Sequence, residues 1–151
     1  MNPDISARFG AATKGFPWHF VVPEQIRFHH CDPAGIAFFP RIDELLNATF
    51  EDWCAAIGFP FAELMNRDRC GFPLVHANIN YTDVLKLGDA INIQQHFSGM
   101  GRSSITFELY IKSGERVCLT GRHTRVMTSL DTHRSVEIPD ALRELLKEGT
   151  L

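Results

Sequence analysis

The stretch that decides the fold is "FHHCDPAGIAFFPRIDELLN", residues 28–47. Two histidines, a cysteine and an aspartate stand at successive positions, a Pro-Ala-Gly turn follows, and then the period of the apolar residues changes. Upstream, "WHFVVPEQIRFHHC" reads as extended chain. Ile26 and Phe28 alternate with Arg27 and His29, as in a half-buried strand, and Pro23 places the start or an edge of that strand nearby. Downstream, Ile42, Leu45, Leu46, Thr49, Phe50, Trp53 and Ile57 recur at helical spacing, one broad apolar face over about four turns. Pro40 suits the first helical turn, where a missing N–H costs nothing. Gly58 and Pro60 mark the far end.

Beyond this helix, "FAELMNR" predicts a further short helix, and then β character takes over. Val75, Ala77, Ile79 and Tyr81 alternate with Leu74, His76, Asn78 and Asn80. "DAINIQQHFSG" follows, with a turn near "SGMGR". "SSITFELYIKSGERVCLTGRHTRVMTSL" predicts two long strands joined at "KSGE". "PDALRELLKEG" closes as a helix with Ala141, Leu142, Leu145 and Leu146 on its apolar side. The expectation is one α+β domain over residues 1–151, with residues 1–16 a loose arm and a curved antiparallel sheet wrapped around the long helix. Such a sheet leaves edges, and edges invite pairing. A homodimer or homotetramer is therefore expected.

The 151 residues are 44% apolar and 22% charged, ordinary for a soluble globular chain. The net charge of −3 offers no basic excess for nucleic acid or an anionic membrane, and neither is expected as a partner. No run approaches the length of a membrane span. The N-terminal residues show no apolar signal-peptide core, and Cys31, Cys54, Cys70 and Cys118 form no CxxC pair. Reduced cysteines in the cytoplasm are the plain expectation.

Asp32 is the first candidate for chemistry. Asp-Pro-Ala-Gly is ordinary turn chemistry, because Asp accepts bonds from nearby backbone N–H groups. The same carboxylate also stands beside the apolar "GIAFFP" and just ahead of a helix start. N–H groups there can hold a carbonyl oxygen or a developing oxyanion. A carboxylate near such an amide is what ester or thioester hydrolysis requires. Cys31 reads as a packed thiol, because neighbours on a strand point to opposite faces and His30 would point away from it. His29, His30 and His76 lack the acidic or thiol company of a metal site, and no metal is expected. His30 or His76 would serve better as a polar wall of a substrate pocket. Phe72, Pro73 and Leu74, at a strand start, are either core or the mouth of an acyl pocket. Arg102 and Ser103, in "GMGRSS", are either a plain hairpin turn or a phosphate contact. Lys86, Arg122 and Arg125 are further candidates for phosphate contact that spacing does not rank.

"HCDPAGIAFFP" followed by a long amphipathic helix, together with "GFPLVHANINYTDVLKLGDAINIQ" and "GRSSITFELYI", resembles the 4-hydroxybenzoyl-CoA thioesterase family of hotdog-fold proteins. The resemblance covers roughly residues 24–140. It implies an acyl-CoA thioesterase whose acid precedes the central helix. It places Asp32 on the catalytic aspartate, and Phe39 where a backbone N–H polarises the thioester carbonyl. It puts Phe72 to Leu74 on a segment that contacts substrate, and Arg102 and Ser103 on or near the stretch that contacts the nucleotide of CoA. It implies an aromatic acyl group of benzoyl or hydroxybenzoyl type and no cofactor beyond the CoA of the substrate. A non-catalytic acyl-CoA or acyl-carrier binding protein, and a hydratase or dehydratase with a His–Asp pair, are alternatives on the same fold.

Overall fold

The computed structural model describes residues 18–147, so the arm expected at residues 1–16 lies outside the described residues. Seven strands run through the described residues. They are β1 (His19–Gln25), β2 (Cys70–Gly71), β3 (Leu74–Tyr81), β4 (Ala90–Met100), β5 (Ser104–Ser113), β6 (Arg116–Val126) and β7 (Thr128–Ser129). Three helices accompany them: α1 (Phe39–Ala56), α2 (Phe61–Asn66) and α3 (Asp140–Lys147). Five strands form one antiparallel sheet in the order β1-β4-β5-β6-β3, and β2 pairs with β7 apart from it.

The long helix forms where the apolar period demanded it. Ile42, Leu46, Thr49, Phe50, Trp53, Cys54 and Ala56 are its buried positions, and Pro40 sits in its first turn. On the sheet, Ile105, Phe107, Leu109 and Ile111 of β5 are buried at every second residue. The two patterns meet in an aromatic cluster: Trp53 lies 4.9 Å from Phe107 and Phe50 lies 5.8 Å from it, both edge to face. Burying a side chain of this size is worth about 1.5–3 kcal/mol, so this seam dominates the attachment of α1 to the sheet.

Three sequence expectations need correction. The first strand ends at Gln25, and Phe28–His30 is a 3₁₀ turn held by His30 N–H donating to the Arg27 carbonyl at 2.9 Å. Ile26 is buried as expected, but Phe28, beyond the strand's end, is 83% exposed. The alternation read in β3 buries nothing fully: seven of its eight residues are exposed and Ile79 is half-buried, because β3 is the sheet's edge. The β2–β7 pair is too short to carry a period and was not foreseen. In α3, Leu142 and Leu146 are buried while Ala141 is exposed. Among the described residues no helix is long and apolar enough to cross a membrane, and all four cysteines are free thiols.

Candidate active site

The turn that carries Asp32 is fixed by its own backbone. The Gly35 N–H donates to the Asp32 carbonyl and the Asp32 N–H to the Ile36 carbonyl, both at 3.0 Å. Asp32 Oδ1 accepts from the Ala34 N–H at 2.8 Å. Gly35 closes the turn at φ +77°, a conformation glycine adopts without penalty. The turn reading and the chemical reading therefore coexist on one residue. Oδ1 holds the loop, while Oδ2 has no partner among the described residues.

The chain then enters α1. The Ala37 N–H donates to the Leu85 carbonyl and the Phe38 N–H to the His30 carbonyl, each at 2.8 Å. These bonds clamp the segment between the Asp32 turn and the helix. Phe38 has extended geometry at the N-cap and supplies no side-chain cap. Pro40 has no N–H, and the Arg41 N–H turns back to the Phe38 carbonyl at 2.9 Å. The Phe39 N–H has no acceptor among the described residues. It is the donor that the first turn leaves open, at the electropositive end of an eighteen-residue helix.

Asp32 and Phe39 line the same cavity, of about 550 Å³, with Ile36, Ile42 and the segment Tyr81–Leu85. A second cavity of about 720 Å³ adjoins it, since Phe39 and Tyr81 line both. Its walls are mainly apolar: Phe61, Met65, Phe72, Pro73, Leu74 and Ile79. Its polar lining includes Asp43, Asn47, His123 and Arg125.

The residues singled out in sequence divide accordingly. Phe72, Pro73 and Leu74 line the larger cavity, and Asp32 and Phe39 the smaller. His30 lines neither. It is buried, and its Nδ1 accepts from the Arg27 N–H at 2.9 Å. Burial, reinforced by neighbouring His29, lowers its pKa, so it is neutral at pH 7. His76 lies on the exposed edge strand with Glu108 and Arg122, away from Asp32. Arg102 and Ser103 occupy the β4–β5 turn. Arg143 braces that turn by donating to the Gly101 and Arg102 carbonyls at 3.2 and 2.8 Å. Arg122 is tied to Glu108 at 2.6 Å, and Arg125 is inside the protein, so neither is free surface charge. Among the described residues no three His, Cys, Asp or Glu side chains cluster as a metal site requires.

Sequence reading passed over His123 and the true position of Arg125. Both stand on β6, two residues apart and so on one face. His123 is 6% exposed and Arg125 4%. Burial and the neighbouring guanidinium push the His123 imidazole down to about 4. The available signal was the alternation from Leu119 through Gly121, which puts both polar residues on the inward side.

A five-stranded antiparallel sheet holding one long helix, with the catalytic candidates at that helix's start, defines a hotdog fold. Residues 26–146 match the thioesterase-like superfamily, and the chain belongs to it. A 1,4-dihydroxy-2-naphthoyl-CoA hydrolase of Synechococcus elongatus is 23% identical over 123 residues, covering 81% of this chain and 90% of that protein. Among solved structures, a gentisyl-coenzyme A thioesterase superposes with a TM-score of 0.75 at 25% identity, over 82% of this chain and 98% of its own. The 4-hydroxybenzoyl-CoA thioesterase of Pseudomonas sp. strain CBS-3 superposes with a TM-score of 0.76 at 22% identity, over 84% and 98%.

Proposed function

We propose that this chain is an acyl-CoA thioesterase that releases CoA and a carboxylic acid, with Asp32 and the Phe39 N–H at the reacting centre. The observation that carries this reading is their shared cavity: a carboxylate with one free oxygen and an unengaged helix-start donor. The Phe39 N–H receives the thioester oxygen as charge develops on it. Asp32 acts in one of two balanced ways. As a nucleophile its oxygen adds to the carbonyl carbon, the C–S bond breaks with both electrons going to sulfur, and water then cleaves the mixed anhydride. As a general base it takes a proton from the water that attacks. Neither route needs a metal or an organic cofactor.

The names of the relatives favour an aromatic acyl group. It occupies the larger cavity, past Phe39 and against Phe72 to Leu74, while the nucleotide of CoA lies outside, near Arg102 and Ser103. The exposed β3 edge is where a second copy pairs, giving a homodimer or a higher homo-oligomer. The free cysteines suit the reducing cytoplasm.

The test is thiol release from a panel of aromatic and aliphatic acyl-CoAs, followed by a single turnover in ¹⁸O-water. Release that depends on Asp32 supports the thioesterase. Label in Asp32 selects nucleophilic attack, whereas label in the product acid alone fits the general base and also an anhydride that water opens at its acyl carbon. Binding without release from any panel member turns the reading to a non-catalytic acyl-CoA binding protein.

A further inference from the structure

The larger cavity is apolar except at a few points, and one of them is out of proportion to its surroundings. Arg125 is 4% exposed and lines this cavity. Its guanidinium carbon lies over the Phe50 ring, 4.1 Å from the ring centre. One Nη donates to the Phe72 carbonyl at 3.2 Å and the other to Asn47 Oδ1 at 3.0 Å. Nε is buried and has no hydrogen-bond partner among the described residues. A guanidinium carries five N–H donors, so most of its capacity is unused. No carboxylate pairs with it among the described residues. Glu51 is one amide removed, accepting from Asn47 Nδ2 at 2.8 Å.

A buried cation without an anion is expensive to keep. Phe50 and the two acceptors hold the guanidinium in place without neutralising it. Beside it on the same face of β6 is His123, which is neutral and has no hydrogen-bond partner among the described residues. Asn47 lies eight residues beyond Phe39 on α1, about 12 Å along the helix axis. A group bound with its carbonyl at Phe39 would therefore point its far end toward Asn47, His123 and Arg125. Asp43 sits between these two levels, but it is an exposed residue on the rim.

We infer that Arg125, assisted by Asn47 and His123, is a specificity-determining group that selects acyl chains ending in an oxygen acceptor, a hydroxyl or a carboxylate, at the end remote from the thioester. This rests on the thioesterase reading for the direction of the acyl group. An acyl group ending in bare hydrocarbon leaves the guanidinium's donors unpaired and gains only apolar contact. A site built to bond a polar group rejects the analogue that lacks it.

The experiment compares matched 2-naphthoyl-CoA esters carrying hydrogen, hydroxyl or carboxylate at position 6, with the corresponding 4-substituted benzoyl-CoA series as a shorter ruler. The expected result is a kcat/KM at least about tenfold higher for an oxygen-bearing ester than for its bare partner. Whether the hydroxyl or the carboxylate leads distinguishes a neutral from an anionic natural substrate. In Arg125→Met, which keeps the volume against Phe50, the ratio falls toward one. In Arg125→Lys it is partly retained. A wild-type enzyme that treats the bare ester as well as the others overturns the inference, as does a ratio that survives in a folded Arg125→Met. The wild-type comparison needs no variant to fold. If no ester is cleaved, the non-hydrolysable thioether analogues are titrated calorimetrically against wild type. An oxygen preference in binding then upholds the inference while the thioesterase reading fails, and equal affinities overturn it.

Discussion

The Asp32 cavity is assembled from two continuous runs of chain, residues 32–42 and 81–85, whereas the Arg125 cavity collects side chains from α1, α2, β3, β6 and the loops around β7. The first is made by a turn and a helix start. Its working groups are a carboxylate oxygen, placed by hydrogen bonds within its own turn, and a backbone N–H, placed by bonds from the adjoining residues to the His30 and Leu85 carbonyls. The second has a buried cation held by a ring, a carbonyl and an amide from distant segments. A site of the first kind does chemistry, because its geometry is set locally and tightly. A site of the second kind discriminates, because the tertiary structure can place any polar group there.

Asp32→Asn strikes the first cavity alone and has the largest expected effect. Asparagine keeps an oxygen to accept from the Ala34 N–H, so the turn and the melting temperature hold. It supplies neither a nucleophile nor a base, and turnover should fall by about 10²–10⁴. Stopped-flow thiol release and a thermal melt check both halves. Activity within about threefold of wild type removes Asp32 from its role.

The second cavity is tested by acid. His123 titrates near 4 in the fold, against 6.5 ordinarily, because it is buried and sits beside Arg125. Between those values the unfolded chain binds a proton that the folded chain refuses. This contribution to stability is therefore complete above pH 6.5 and is lost as the pH falls toward 4, roughly 2–3 kcal/mol by pH 4.5. Urea midpoints at pH 7 and pH 4.5 should converge in His123→Gln relative to wild type. An equal acid loss in both proteins denies the imidazole its burial cost.

Gly35→Ala returns to the first cavity with a smaller blow. No neighbour obstructs a Cβ there, so the cost is conformational, about 1–2 kcal/mol for a residue held at positive φ. Because the strain sits in the loop that carries Asp32, kcat should fall as well. A loss of stability with kcat intact would separate the loop's shape from catalysis.

The same contrast decides what the sequence could disclose. The helix period from Ile42 to Trp53, the DPAG turn and a helix start near Phe39 or Pro40 are local, and local rules find them; the choice of the Phe39 N–H comes from the family resemblance. The end of β1 was overrun because Ile26 and Phe28 continue the alternation, while the His30 imidazole caps a 3₁₀ turn that no period announces. Arg125 reads in sequence as one of three possible phosphate contacts that spacing does not rank, because arginine is rarely buried. The alternation from Leu119 through Gly121 turns it inward, and the pairing of β6 between β5 and β3 sets it against Phe50. The edge position of β3 is likewise a property of the whole sheet, invisible in an alternation that looks like any half-buried strand.

The smallest effect is expected outside both cavities. Arg102 is an exposed residue of the β4–β5 turn, and Arg143 holds the turn's carbonyls whatever side chain stands at 102. Arg102→Ala should leave the fold and kcat alone and raise KM for CoA esters a few-fold, since an exposed ion pair is worth about 0–1 kcal/mol. The informative control is the matching pantetheine ester, which lacks the nucleotide. If Arg102 meets the nucleotide's phosphates, the loss appears only with the full CoA ester and shrinks as salt is added. An equal loss on both esters would move Arg102 from the nucleotide to the cavity side, where neither the Asp32 nor the Arg125 lining includes it.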